Sequence, residues 1–187
     1  MTSQKETENF DTRKTEQIAQ LQEARALLTR YNATAMHEQE ERREILGALL
    51  GERGDGVWIE PPFHCDYGRN ISLGDGVFFN FNCVLLDGDE ISIGSGTLLG
   101  PAVQVYATTH PSKAEERIYV RDGLPAYHTQ AKPVRIGKNA WIGGGAIILP
   151  GVEIGDGTTI GAGSVVTKTI PGGVFAAGNP CSIVREL

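Results

Sequence analysis

The sequence predicts an all-β solenoid with an α-helical cap, and three observations predict it. Ile136, Ile142, Ile148, Ile154, Ile160 and Val166 stand six positions apart. Glycine follows four of them, at 137, 143, 155 and 161, and Ala140, Ala146, Val152, Thr158 and Ser164 sit four positions after the first five. The same beat occurs earlier with a slip: Leu73, Phe79, Leu85 and Ile91 are in step, and Ile93, Leu99 and Val105 continue two residues out of phase. Glycine makes up 24 of 187 residues, well above the usual share of about 7%, without the every-third-position spacing of collagen. No helix or pleated strand has period six. That period marks a coil whose sides each turn one apolar residue inward between regular corners. Glycine is expected at those corners to supply positive φ.

Residues 1–11 are polar and expected to fray. From Thr12 to Tyr31, Ile18, Leu21, Ala24, Leu28 and Tyr31 recur at three or four, which predicts an amphipathic helix. A second helix is predicted from Met36 to Leu50, with Ile45, Leu46, Leu49 and Leu50 as its apolar end and Gly51 as its stop. Both are expected to cover one end of the solenoid, where unpaired strand groups would otherwise lie open. The repeat breaks after His110 and resumes near Val134. The excursion between is charged and mixed, and a loop that long is usually functional or disordered. The predicted organisation is a helical cap over 1–55, a solenoid over 56–171 with an excursion at 111–132, and a tail over 172–187. Val174, Phe175, Ile183 and Val184 should pack the tail back on the solenoid.

Net charge is −6 and no Lys/Arg run exists, which disfavours nucleic acid, whose binding rests on neutralised phosphates. No signal peptide and no long apolar run is present, so neither secretion nor a membrane is expected and a cytoplasmic location is. Cys65, Cys83 and Cys181 have no paired spacing and are expected to stay reduced.

Six segments then point to a family: Trp-Ile-Glu-Pro-Pro (58–62), Cys-Asp-Tyr-Gly (65–68), Asn-Phe-Asn (80–82), Ala-Thr-Thr-His-Pro (107–111), Ile-Gly-Lys-Asn-Ala-Trp-Ile-Gly-Gly (136–144) and Gly-Ala-Gly-Ser-Val-Val-Thr-Lys (161–168). With Gly-Asn-Pro (178–180) they resemble, in order, the hexapeptide-repeat acyltransferases of the maltose/galactoside O-acetyltransferase group. The resemblance implies a left-handed parallel β-helix and a homotrimer with active sites between subunits. It also implies acetyl-CoA as donor and a sugar or similar alcohol as acceptor.

A sugar hydroxyl is a poor nucleophile at neutral pH, and an imidazole that takes its proton during attack is worth about 10²–10⁴-fold. By resemblance His110 is that base, and His128 in the excursion is a second histidine that could reach the acceptor. The developing oxyanion needs N–H donors, a role the resemblance gives to the Gly144 amide, with Gly145 beside it. Lys168 and Arg185 match positions near the phosphates of the donor. Ala162 and Thr167 match the pantetheine groove, and Trp141 is expected to point outward as its apolar wall or as trimer packing. Asp66 and Asn80 match the acceptor side, Asp87 is a weaker candidate because it sits nearby in sequence, and corner capping is the alternative role for each. Departures from the family pattern concern the acceptor: the N-terminal Met-x-x-Gly-x-x-Tyr pattern is missing, Asp11 lies near the place of an acidic acceptor contact, and the excursion is long. Ser182 stands where some relatives carry an Arg.

The predicted function is acetyl-CoA-dependent O-acetyl transfer in a ternary complex. The nearest alternative is an acetyltransferase for a drug or serine-type acceptor, and a non-catalytic binding solenoid is a third class. A metal-dependent hydratase on a similar solenoid would need three His ligands. None of the four histidines forms a spaced pair on the coils, so no metal is predicted.

Overall fold

The computed structural model describes residues 9–10 and 15–187; Asp11 lies outside the described residues. Helix α1 spans Thr15–Asn32 and α2 spans Gln39–Leu49. Their buried faces are Ala24, Leu28 and Tyr31 on α1 and Ile45, Leu46 and Leu49 on α2, the three-and-four spacing of a helix side. The pair covers the first turn of the solenoid. The Tyr31 hydroxyl donates to the Ile59 carbonyl at 2.5 Å. The Asn32 amide donates to the Phe63 carbonyl and accepts the Phe63 N–H, each at 2.9 Å. These strand groups would otherwise be left without partners at an open end. Among the described residues no helix is long and apolar enough to cross a membrane.

The remainder is a parallel β-solenoid of about six turns. Three sheets run along it. The first stacks Glu52–Arg53, Ile71–Leu73, Ile91–Ile93, Val134–Ile136 and Glu153–Ile154. The second stacks Trp58–Ile59, Phe78–Phe79, Leu98–Leu99, Trp141–Ile142, Thr159–Ile160 and Val174–Gly178, and Cys181–Glu186 closes it antiparallel. The third stacks Phe63–Cys65, Cys83–Leu86, Gln104–Tyr106, Ile147–Ile148 and Val165–Val166. The beat residues face inward: Phe79, Leu85, Leu99, Ile142, Ile148 and Ile160 are all fully buried. So are the small residues four positions on, from Ala140 to Ser164.

The register explains the slip. Ile71 lies beside Ile91 and Phe78 beside Leu98, 20 residues on. Arg135 lies beside Glu153 and Trp141 beside Thr159, 18 residues on. The extra residues of the early turns widen the corner between the third and first sheets, at 66–70 and 87–90.

The glycines correct one expectation. The glycine directly after each beat residue does not supply positive φ. It is there because the next turn lies against it: a Cβ on Gly74 would sit 2.5 Å from the Ser95 nitrogen, and one on Gly137 would sit 2.6 Å from the Asp156 nitrogen. Positive φ falls two residues later, at Gly76, Gly96, Asn139 and Gly157.

The excursion folds against the third-sheet corner. Thr108–Thr109 pairs antiparallel with Thr129–Ala131, whose other edge takes Asn9–Phe10. Between them lie a single 3₁₀ turn, Ala114–Glu116, and a hairpin of Ile118–Arg121 with Leu124–Tyr127. Tyr119 and Ala126 face one another across it; Ala126 is buried, and Ile118 and Val120 are exposed.

Candidate active site

The wide corner, α1 and the excursion enclose a cleft of about 560 Å³. It is lined by Leu21 and Arg25 of α1, Asp66 and Tyr67 of the corner, His110 just before the excursion, and Tyr127 and Thr129 within it. His110 follows directly on Thr108–Thr109, so the ladder to Thr129–Ala131 holds its backbone. Its ring is exposed, and its Nδ1 lies 2.8 Å from the carbonyl oxygen of His128. A carbonyl only accepts, so Nδ1 carries the proton and Nε2 keeps a free lone pair. The His128 ring is itself stacked on Tyr119, with centroids 4.4 Å apart and planes at 28°. His128 therefore meets His110 through its backbone.

Asp66 is half-buried in the cleft. Burial raises its carboxyl above the ordinary carboxylate range, and Arg25 partly offsets the rise. Asp87 is fully buried beneath it. It accepts the N–H groups of Asp66 at 3.0 Å and Tyr67 at 2.9 Å, and the Asn70 amide donates to its backbone carbonyl at 2.7 Å. Of the two readings open for Asp87, the structure places it as a corner cap that holds Asp66, with no surface of its own in the cleft.

The other expected residues lie elsewhere on the chain. Asn80 leaves the second sheet at its corner with the third, and its side-chain oxygen accepts the Phe81 N–H at 2.8 Å. Along that corner Ala102 N–H donates to Phe81, Gly145 N–H to Pro101 and Gly163 N–H to Gly144. Phe81, Pro101, Gly144 and Ala162 therefore follow one another turn by turn. The Gly144 N–H meets no backbone carbonyl among the described residues. Glycine at 100 leaves it open: a Cβ there would stand 2.6 Å from the Gly144 nitrogen. Trp141 points outward beside this edge, 57% exposed, with Leu98 next to it in register. Arg185 closes the same sheet, its guanidinium 5.6 Å over the Phe175 ring. Thr167 and Lys168 are exposed and follow Val165–Val166, on the corner that carries Asp66. A single chain thus brings Asp66, Asp87 and His110 together and leaves Asn80, Gly144 and Ala162 on a different edge.

Sequence reasoning missed Arg25, Tyr127 and Thr129. Arg25 had a signal: it follows Leu21 by four on the helix and flanks the buried stripe of Ala24 and Leu28.

Two family signatures match the chain: the bacterial transferase hexapeptide (six repeats) over residues 133–168 and the maltose acetyltransferase hexapeptide capping motif over 8–54. Nodulation protein L of Rhizobium meliloti (strain 1021) is 49% identical over 165 residues, which are 88% of this chain and 86% of that protein. The crystal structure of a maltose O-acetyltransferase from Clostridium difficile 630 matches with a TM-score of 0.88 at 39% identity, over 97% of this chain and 93% of that one. The chain belongs to the hexapeptide-repeat acetyltransferases. Within them its relatives are the maltose/galactoside O-acetyltransferases, and the repeats make its solenoid a left-handed β-helix. A further hexapeptide-repeat acetyltransferase, VCA0836 of Vibrio cholerae O1 biovar eltor, is known in complex with acetyl-CoA. It matches with a TM-score of 0.88 at 34% identity, over 97% of this chain and 94% of that one. As a member of this family the chain is an acetyl-CoA-dependent O-acetyltransferase. The edge of Trp141, Gly144 and Ala162 presents an exposed apolar ring, an N–H that meets no backbone carbonyl among the described residues, and small residues at the corner.

Proposed function

We propose that the chain moves an acetyl group from acetyl-CoA to a hydroxyl of a sugar or sugar-like acceptor, with His110 as general base, in a homotrimer whose sites lie between subunits. The observation that carries this reading is the fixed imidazole. With Nδ1–H held by the His128 carbonyl, Nε2 is the atom free to take a proton in the cleft. Nε2 removes the hydroxyl proton as the oxygen attacks the thioester carbonyl, and the Gly144 N–H faces the oxyanion that develops. When the carbon–sulfur bond breaks, the imidazolium returns the proton to the departing thiolate, leaving an acetyl ester and the free thiol of CoA.

Several features support a sugar-like acceptor. Asp66, Arg25 and Thr129 offer acceptors and donors in fixed directions, and the Tyr127 ring beside them offers an apolar surface. Relatives named for maltose and galactosides point the same way. The trimer is supported by the separation of the two edges. His110 lies on one and Gly144 on the other, so a second copy supplies what each cleft lacks. The exposed apolar column of Leu98 and Trp141 is suited to be covered by it. Cys65, Cys83 and Cys181 are all free thiols, which supports a reducing compartment such as the cytoplasm.

The test is thiol release from acetyl-CoA across glucosides, galactosides, maltose, serine and chloramphenicol, with wild type and His110→Ala. The variant should keep its assembly and CoA binding, because the ring is exposed and supports no core. Its kcat should fall by about 10²–10⁴-fold on the sugar acceptors. A variant that keeps most of its kcat would refute the base, and transfer confined to serine or chloramphenicol would refute the acceptor class.

A further inference from the structure

We propose that Arg117 is the positioning residue of His110, setting both the place of the imidazole and which nitrogen carries its proton. This rests on His110 being the general base. The Arg117 guanidinium donates through Nε to the Pro111 carbonyl at 2.8 Å and through Nη2 to the Ser112 carbonyl at 2.5 Å. Those are the two residues that follow His110. The Arg117 carbonyl in turn accepts the His128 N–H at 2.9 Å, and the His128 carbonyl accepts Nδ1–H of His110 at 2.8 Å. The bonds close a ring: His110 side chain, His128 backbone, Arg117 backbone, Arg117 side chain, and the chain just after His110.

The geometry calls for arginine. Two carbonyls of successive residues point into one place, and the planar guanidinium answers both with a rigid fork. Lysine would bring its donors from a single nitrogen on a flexible stem, without the fixed fork that spaces them to the two carbonyls. The hairpin completes the frame, because Tyr119 stacks on His128 and Ile118–Arg121 begins directly after Arg117. Arg117 thus pins the start of the hairpin to the catalytic strand.

The chemistry depends on this ring. A neutral imidazole has two tautomers, and only the one with Nδ1 protonated leaves Nε2 free to act as base in the cleft. A reacting group displaced by about 1 Å can lose as much as 10²-fold in rate. Arg117→Ala is therefore expected to lower kcat by about 10–10²-fold while the acetyl-CoA KM stays within about twofold.

The experiment compares wild type, Arg117→Ala, Arg117→Lys and His110→Ala. Long-range proton–nitrogen correlation at alkaline pH reads the His110 tautomer, its signal assigned by its absence from His110→Ala. Wild type should show Nδ1–H. Arg117→Ala should show a shift towards the other tautomer together with the loss of kcat, and low concentrations of guanidinium chloride should restore part of that kcat without effect on His110→Ala. Arg117→Lys should fall between. An Arg117→Ala enzyme with the wild-type tautomer would overturn the proposal. So would a loss shared equally by the Lys variant, accompanied by loss of assembly and unmoved by guanidinium, because that is a purely structural role. If His110→Ala keeps its kcat, the base assignment fails, and the tautomer still decides whether Arg117 holds the ring.

Discussion

Asp87→Asn removes a charge that the fold buries and keeps the oxygen that the fold uses. Asp87 Oδ1 accepts the N–H of Asp66 at 3.0 Å and of Tyr67 at 2.9 Å, and Oδ2 takes the Asn70 N–H at a long 3.4 Å. An asparagine oxygen can serve the first two bonds, and only the weak third is lost. Burial raises the Asp87 carboxyl to about 6; the Tyr67 N–H opposes the rise and the nearby Asp66 charge adds to it. An unfolded aspartate titrates near ~3.9, so the folded chain holds this proton more tightly than the unfolded one. Stability from this group is then fully present below about 4 and is lost as pH rises through about 6. A gap of about two units corresponds to roughly 3 kcal/mol at most, and asparagine loses none of it. Relative to wild type, Asp87→Asn should therefore gain about 2–3 kcal/mol between pH ~4 and ~7, and it should equal or exceed wild type at neutral pH. Urea unfolding followed by circular dichroism, at fixed protein concentration and several pH values, measures the difference. A gap between the two proteins that does not change with pH would refute the reasoning.

Lys168→Ala and Arg185→Ala should each raise the acetyl-CoA KM more than they lower kcat, because the phosphates they would meet do not change during reaction. Together they should weaken donor binding by roughly 2–5 kcal/mol, and an unchanged KM in initial-rate assays would remove them from the donor site. Gly137→Ala should destabilise by about 2–3 kcal/mol in thermal or urea unfolding, since its Cβ would press on the Asp156 nitrogen and the stack must part. Gly157→Ala faces open space at φ +66 and should lose only about 1 kcal/mol of backbone strain; the reverse order would contradict the roles given to the two glycines.

The architecture was legible because each side of a turn needs one inward residue. Ile136 to Val166 therefore announce themselves at a spacing no other structure uses. The helices were legible for the same reason, through Ala24, Leu28 and Tyr31. The role of Gly74 and Gly137 was not, because their constraint comes from a backbone atom one full turn later. The sequence shows only that glycine is present, not which contact demands it. His110 could be found through Ala-Thr-Thr-His-Pro. Its tautomer could not, because it is set by the His128 carbonyl, a backbone group that every residue type possesses. Asp87 was open between acceptor contact and corner cap until its burial and its two N–H partners were seen. The helical spacing puts Arg25 beside the buried stripe, and it reaches the cleft because α1 lies across the wide corner, a docking set by tertiary packing.

We propose that His110 and the Gly144–Ala162 edge act together from two different copies of the chain. His110→Ala removes the base from one edge, and Ala162→Trp fills the donor groove on the other; both positions are exposed on the single chain, so both variants should fold. Each should be inactive alone. When they are mixed in equal amounts, unfolded and reassembled, a site is whole only where an Ala162→Trp chain supplies His110 and a His110→Ala chain supplies the open groove. Random trimers should therefore recover about a quarter of the wild-type thiol-release rate. Mixtures that remain as inactive as their parents, after assembly is verified by sedimentation, would show that each chain holds its own complete site and would contradict the account.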